Sequence, residues 1–369
     1  MAGARAAPGG WTTPSTSAAP QAPQKRSPGS FAAPQLGHTS ASATPHWPQY
    51  RLPGRFSVPH DEQIVNSDRV YPSYGCEEMS ATRPLLLLSV DYEDWHQLVR
   101  RRVGASNWRE AGPALARQTD ALLALLDELH ARATFFVLGM AARAHPELLE
   151  PIVAAGHEIG CHGDAHLPVH TQTPEEFAND LRAARATIEQ LTGRTAVGYR
   201  APAFSITKAS EWAYAVLAQE GFAYDASQHD SPALRDRAVS ATATPHRLET
   251  GGDRAVWEFP VAVWRVGQAR LPVGGASYWQ VLPTPLVLRG LNEAGPLAGL
   301  YLHPNELDPE PLHALLPSDA TPAQRAHAKL RETQRNGARR RAPGVLRAIA
   351  QRFELIPYGE AHARLDGSA

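Results

Sequence analysis

From residue 83 onward, short continuous apolar runs alternate with longer stretches whose apolar residues recur every three or four positions. Residues 85–88, four leucines, and 133–138, Ala-Thr-Phe-Phe-Val-Leu, have the length and composition of strands buried on both faces. Between them, Leu115, Leu122, Leu125, Leu126 and Leu129 have helical spacing. Residues 146–155 read as a helix opened by Pro146, and 158–161 as a short strand. Pro174-Glu175-Glu176 starts a helix through Leu191, residues 198–200 and 222–225 are strand ends, and 211–219 is a helix between them. Repeated strand–helix units of this size predict a parallel sheet or barrel.

Beyond residue 240 the pattern loosens. Residues 256–260 and 262–264 are expected strands, and 300–304 ends another. Residues 322–353 read as helical and basic, with nine Lys or Arg between 325 and 352 against one acid, Glu332. A solvated helical face is the expected role; an anionic glycan or membrane surface is the lesser reading. The first 82 residues are rich in Pro, Ala and Ser without periodicity, which predicts a disordered extension. A genuine tail and a start placed too early both fit that composition. The expected layout is an extension at 1–82, one domain at 83–355 and a tail at 356–369.

Composition narrows the class. With 369 residues, 43% hydrophobic and 20% charged, the chain can bury one large core. Its two cysteines, Cys76 and Cys161, exclude a disulfide framework, and Cys161 reads as a small buried residue. A formal net charge of −1 gives no overall field to draw nucleic acid or anionic membranes. The early sequence lacks the continuous apolar run of a secretory signal, so a cytoplasmic location is expected.

Two runs carry the candidate chemistry. Ser89-Val90-Asp91-Tyr92-Glu93-Asp94-Trp95 follows the first apolar run directly, so its acids lie at a strand end, where α/β folds expose side chains to a crevice. His157-Glu158-Ile159-Gly160-Cys161-His162-Gly163-Asp164-Ala165-His166 supplies two histidines four residues apart, which a helical turn or a compact loop can aim at one ion. Together they can bind a divalent metal and leave one carboxylate free, the minimum for a metal hydrolase. Taken singly, an acidic run after a strand is most often a solvated turn, and among 16 histidines a four-residue spacing arises by chance. Trp212 and Trp257 read as core.

In their order along the chain these residues resemble the polysaccharide deacetylase family with the NodB homology domain, also called carbohydrate esterase family 4. The first motif, a strand ending in acids, corresponds to residues 89–94; the second, His-x-x-x-His, to His162 and His166; the third, Arg-x-Pro, to Arg200-Ala201-Pro202. The fourth resembles Tyr224-Asp225-Ala226-Ser227, and the fifth, Leu-x-His, is Leu302-His303-Pro304. The Asp-x-Glu-Asp-Trp form, Leu271-Pro272-Val273-Gly274-Gly275 and the run from Tyr301 to Glu306 are similar to a branch associated with bacterial exopolysaccharide systems.

The resemblance implies a distorted (β/α) barrel and a metal-dependent hydrolase that removes N-acetyl groups from amino sugars of a bacterial polysaccharide, with zinc as the expected ion. It assigns Asp91 as general base, His303 as general acid, Arg200 as the group that orients Asp91, and His162 and His166 as metal ligands. Tyr92 stands where the common pattern has the second of two adjacent acids, so the carboxylate ligand is Glu93 or Asp94. Strand alternation favours Glu93, which shares a side with Asp91. Trp95, Tyr199, Trp264 and Tyr278 are candidate sugar platforms. The rival readings are a catalytically silent carbohydrate-binding relative, prompted by Tyr92, and an allantoinase-like small-molecule amidohydrolase.

Overall fold

The apolar runs become strands of one curled sheet, seen in a computed structural model that describes residues 83–231, 239, 242–251, 254–337 and 339–367. The extension expected at 1–82 lies outside the described residues. The strands are β1 (Leu85–Tyr92), β2 (Thr134–Val137), β3 (Glu158–Cys161), β4 (Gly198–Tyr199), β5 (Tyr224–Asp225), β6 (His246–Leu248) and β7 (Val256–Glu258). A separate hairpin, β8 (Val263–Val266) and β9 (Ala269–Pro272), precedes β10 (Ala298–Leu302) and β11 (Glu354–Ile356).

Across the sheet the order is β10, β1, β2, β3, β4, β5, β7, β6, with β6 alone antiparallel to its neighbour. β11 pairs with residues 85–87 of β1, and β2 with residues 89–92. Just past β7, Val261 bridges in parallel to Gly299 of β10, which curls the sheet back on itself into the expected distorted barrel.

Helices cover the outside: α1 (Trp95–Arg102), α2 (Leu115–Glu128), α3 (Gly139–Ala144), α4 (Leu149–Ala154), α5 (Pro174–Thr192) and α6 (Ala213–Gln219). After the hairpin come α7 (Ala276–Trp279), α8 (Thr284–Ala294), α9 (Pro322–Asn336), α10 (Ala342–Arg352) and α11 (Tyr358–Asp366). The sequence sets the limits of α5: Thr173 and Glu176 cap each other's backbone N–H groups, Pro174 opens the first turn, and Gly193 ends the helix at φ 64°. No helix among the described residues is long and apolar enough to cross a membrane.

Alternation along β1 separates two interiors. Leu86, Leu88 and Val90 face the helices, while Leu87 faces inward with Phe136, Tyr224, Phe259 and Tyr358. Room for these rings comes from bare positions opposite: a Cβ on Gly198 would lie 2.0 Å from the Tyr224 ring, and one on Gly160 2.6 Å from Phe136. Ser89 and Asp91 continue the inward face, so β1 delivers a carboxylate to the mouth of a packed barrel.

Three sequence expectations change. Residues 146–155 begin as a 3-10 turn, Pro146–Leu148, before α4. Residues 322–353 split into α9 and α10 around a 3-10 turn at Arg339–Arg341. The basic face there is partly spent on the fold, because buried Arg339 donates to the Asp308 and Glu310 carbonyls and Arg347 pairs with Glu128 at 2.7 Å. Residues 356–367, expected as a tail, complete β11 and form α11, whose Tyr358 is fully buried in the barrel. A three-residue strand and a nine-residue helix carry too little periodicity to announce themselves.

Candidate metal centre

Four strand ends on one rim of the barrel supply the candidate residues. Asp91 and Glu93 come from the end of β1, His162 follows β3, Arg200 follows β4, and His303 follows β10. The chain from His162 to His166 is a compact loop and not a helical turn, with His166 at φ 52°, a left-handed conformation uncommon outside glycine. Asp180 holds that loop by accepting from the backbone N–H groups of Asp164 and Ala165, while Arg101 donates to the Ala165 carbonyl.

Glu93, His162 and His166 each offer an atom within 4.8 Å of the others'. Glu93 Oε2 lies 3.1 Å from His166 Nε2 and 3.8 Å from His162 Nε2, yet it is buried with no aligned hydrogen-bond donor. Three convergent lone-pair atoms with a buried, unsatisfied carboxylate oxygen are the donor set a divalent cation requires, and the set leaves coordination positions open. Burial alone would raise the Glu93 carboxyl, but the imidazoles of His166, His303 and His162 outweigh it and hold it down at about 2. His162 Nδ1 donates to the Arg200 carbonyl at 2.8 Å, which leaves Nε2 free as the ligand atom. Burial lowers the His162 pKa, favouring the neutral imidazole that a metal needs.

Arg200 is the anchor of the inner face. Its guanidinium donates to Asp91 Oδ1 at 2.8 Å, to Ser89 Oγ, to the Ala226 carbonyl and to the Tyr358 hydroxyl. Burial works against its charge, and the Asp91 carboxylate overrides that and raises its pKa. His303 Nε2 faces the same centre, 3.6 Å from Glu93 Oε1 and 4.0 Å from Asp91 Oδ2. Desolvation would lower the His303 pKa, but Glu306, Glu93 and Asp91 raise it to about 9.

Of the residues singled out from sequence, Asp91, Glu93, His162, His166, Arg200 and His303 converge. Asp94 does not. It accepts from the His96 and Gly112 backbone N–H groups and lies 3.1 Å from His145 Nε2, a helix cap turned away from the cluster. Tyr92 points into the outer core, its hydroxyl 2.7 Å from Thr119 Oγ1. Three of the four candidate sugar platforms are buried: Trp95 against Val99 and Leu312, Tyr199 against Phe177, and Trp264 with its Nε1 on Glu293. Only Tyr278 is partly exposed. Trp212 and Trp257 lie half-buried against the core. Burial pushes the Cys161 thiol up to about 12, as suits a small buried residue. Asp180 and Tyr358 escaped the sequence reading, and Ser89 and Glu306 entered it only as members of longer runs without a role; Glu306, three residues past His303 and behind a proline, also left a capping-type signal.

Fold and rim together define an α/β barrel with a two-histidine, one-carboxylate centre at its strand ends. A family model described as "Polysaccharide deacetylase" matches residues 110–221, and one described as "Domain of unknown function (DUF3473)" matches 227–355. The likeness to polysaccharide deacetylases thus lies in residues 110–221, and the segment that follows matches the second model. A Helicobacter pylori protein named peptidoglycan deacetylase is 33% identical over 106 residues, covering 29% of this chain and 35% of the relative. A Bacillus cereus peptidoglycan-N-acetylglucosamine deacetylase is 33% identical over 72 residues, covering 20% and 34%. The chain thus spans about a third of the length of these curated relatives. A solved structure from Mycobacterium smegmatis, assigned as a polysaccharide deacetylase, superposes with a TM-score of 0.51 at 18% identity over 79% of this chain and 93% of that one. It shares the fold.

Proposed function

We propose that this chain is a metal-dependent hydrolase that removes N-acetyl groups from amino sugars of a bacterial polysaccharide. The observation that carries the reading is the meeting of Asp91, His303 and the Glu93–His162–His166 set around one point, with Glu93 Oε2 buried and unsatisfied. Names borne by the relatives support the reaction class.

A divalent ion held by Glu93, His162 and His166, zinc on this donor set, would lower the pKa of a water and polarise the acetyl carbonyl. Asp91 is the base that takes the water proton, aimed by the Arg200 guanidinium. His303 gives its Nε2 proton to the departing amine as the C–N bond breaks. His162 keeps its tautomer through the Arg200 carbonyl, so one arginine serves base and ligand alike. Tyr92 in the outer core and Glu93 beside His166 favour this reading over a silent carbohydrate-binding relative.

The test is acetate release from acetylated chito-oligosaccharides by the full chain loaded with zinc, native against Asp91→Asn. Release that depends on Asp91 supports the reading. No release from any acetylated glycan by either protein would reject it, and turnover of a cyclic ureide in its place would select the small-molecule amidohydrolase.

A further inference from the structure

Two features similar to the exopolysaccharide-associated branch, the Leu271–Gly275 run and Glu306, have no part in the reaction above, and the fold brings them to the same atom. Gly274 lies so close to β10 that a Cβ would stand 2.6 Å from the Gly299 carbonyl, and its own carbonyl accepts from Tyr301 N–H at 2.9 Å. Gly275 bridges to Tyr301, where a Cβ would stand 2.7 Å from the tyrosine ring. This close approach sets the first turn of α7 beside the end of β10, and Ser277 in that turn donates to Glu306 Oε1.

Glu306 is 1% exposed and has its remaining oxygen on His303. Oε2 accepts from the His303 backbone N–H at 2.9 Å and lies 3.4 Å from His303 Nδ1. From α9, Arg335 donates to Ser277 Oγ at 3.0 Å and stands 3.7 Å from Glu306 Oε1, which supplies the countercharge a buried carboxylate needs. His303 thus has Nδ1 toward a fixed carboxylate and Nε2 toward the Asp91–Glu93 centre.

We propose that Glu306, itself held by Ser277 and Arg335, is the positioning residue of His303. Resting on the reaction proposed above, this role fixes the imidazole orientation and keeps a proton on Nδ1. When Nε2 gives its proton to the leaving nitrogen, the C–N bond breaks and the neutral imidazole that remains keeps its Nδ1–H on Glu306. The arrangement also gives Arg335, one of the basic residues of α9, a place in the site.

The test compares an N-acetyl oligosaccharide, whose amine must be protonated to leave, with 4-nitrophenyl acetate, whose phenolate leaves without a proton. With zinc-loaded full chain, Glu306→Gln should lower kcat on the amide by about 10²-fold, with KM little changed and a far smaller loss on the ester. That variant also loses the bond to the His303 backbone, so Ser277→Ala, which spares the turn, carries the same test. It should lower kcat on the amide by about 5-fold, the worth of one hydrogen bond, again with a smaller loss on the ester. Native activity with equal losses on both substrates, or no loss, in the folded variants would overturn the role of Glu306 alone. Native protein inactive on both would overturn the proposed reaction and this role with it.

Discussion

At the ends of β1, β3 and β10, buried Asp91 and mostly buried Glu93 stand beside a guanidinium and three imidazoles, whereas at the ends of β5 and β7 Asp225 and Glu258 are fully buried beside each other. The first pair has positive partners, and Glu93 is held down at about 2 despite its burial. The second pair has no ion-pair partner within 4 Å among the described residues, although the Arg200 guanidinium pulls Glu258 down from a distance. Burial and the neighbouring Asp225 carboxylate push Glu258 well above the usual carboxyl range, and the two side chains are hydrogen-bonded to each other. Burial raises Asp225 too, and the bonds from Glu258 and Ser227 pull it back. Burial raises both Glu93 and Glu258, and the neighbours decide whether the carboxyl ends low or high. The rim with cationic neighbours is the one that gathers the candidate metal-ligand set; the other is a hydrogen-bonded pair.

The largest expected effect falls on the reaction. Asp91→Asn removes the base while keeping the shape, and acetate release by folded protein should fall by about 10²–10⁴-fold. A rate within a few-fold of native would mean that Asp91 is no more chemical than Asp225.

Next comes stability. Arg200→Met leaves Asp91 buried without its cation and should cost about 3–5 kcal/mol in urea unfolding, the usual penalty for breaking a buried ion pair. Asp94→Ala should cost less, about 1–3 kcal/mol for the buried donors left unpaired, and should leave metal binding intact because Asp94 caps α1 away from the cluster. Loss of metal in that variant would show that the second acid reaches the centre after all.

The smallest effect is expected at the other pair, where glutamine mimics a protonated glutamate. Glu258→Gln should change stability by less than about 1 kcal/mol at acidic pH. In the native chain Glu258 is raised above its unfolded value of 4.5, so its contribution is full below about pH 4.5 and declines as pH rises toward the folded pKa. Over that window the native protein should lose up to about 1.4 kcal/mol per pH unit relative to Glu258→Gln. Parallel stability–pH curves would mean that both acids are ionised.

Much of the rim was legible because it hangs on long apolar runs. Residues 85–88 and 133–138 announce β1 and β2, and side-chain alternation from Asp91 selects Glu93 over Asp94 without a structure. The sugar platforms were misjudged for a related reason: Tyr199 and Trp264 alternate outward under helices, and the sequence does not say which face of a two- or four-residue strand is covered. What was illegible depends on closure of the barrel. Tyr358 meets Arg200, and Glu258 meets Asp225, only once strands distant in sequence lie side by side. Glu306 sits in the middle: its spacing from His303 is visible, but the side chain it serves is set by the turn after β10 and by Ser277 arriving from α7.

The central claim, that Glu93, His162 and His166 together hold a metal, is tested most directly by the metal content of the purified full chain, native against Glu93→Gln, His162→Ala and His166→Ala. One equivalent of zinc or another divalent transition metal in the native protein, lost in each folded variant, is the expected result. Metal retained in all three variants, or none taken up by folded native protein after reconstitution, would contradict it.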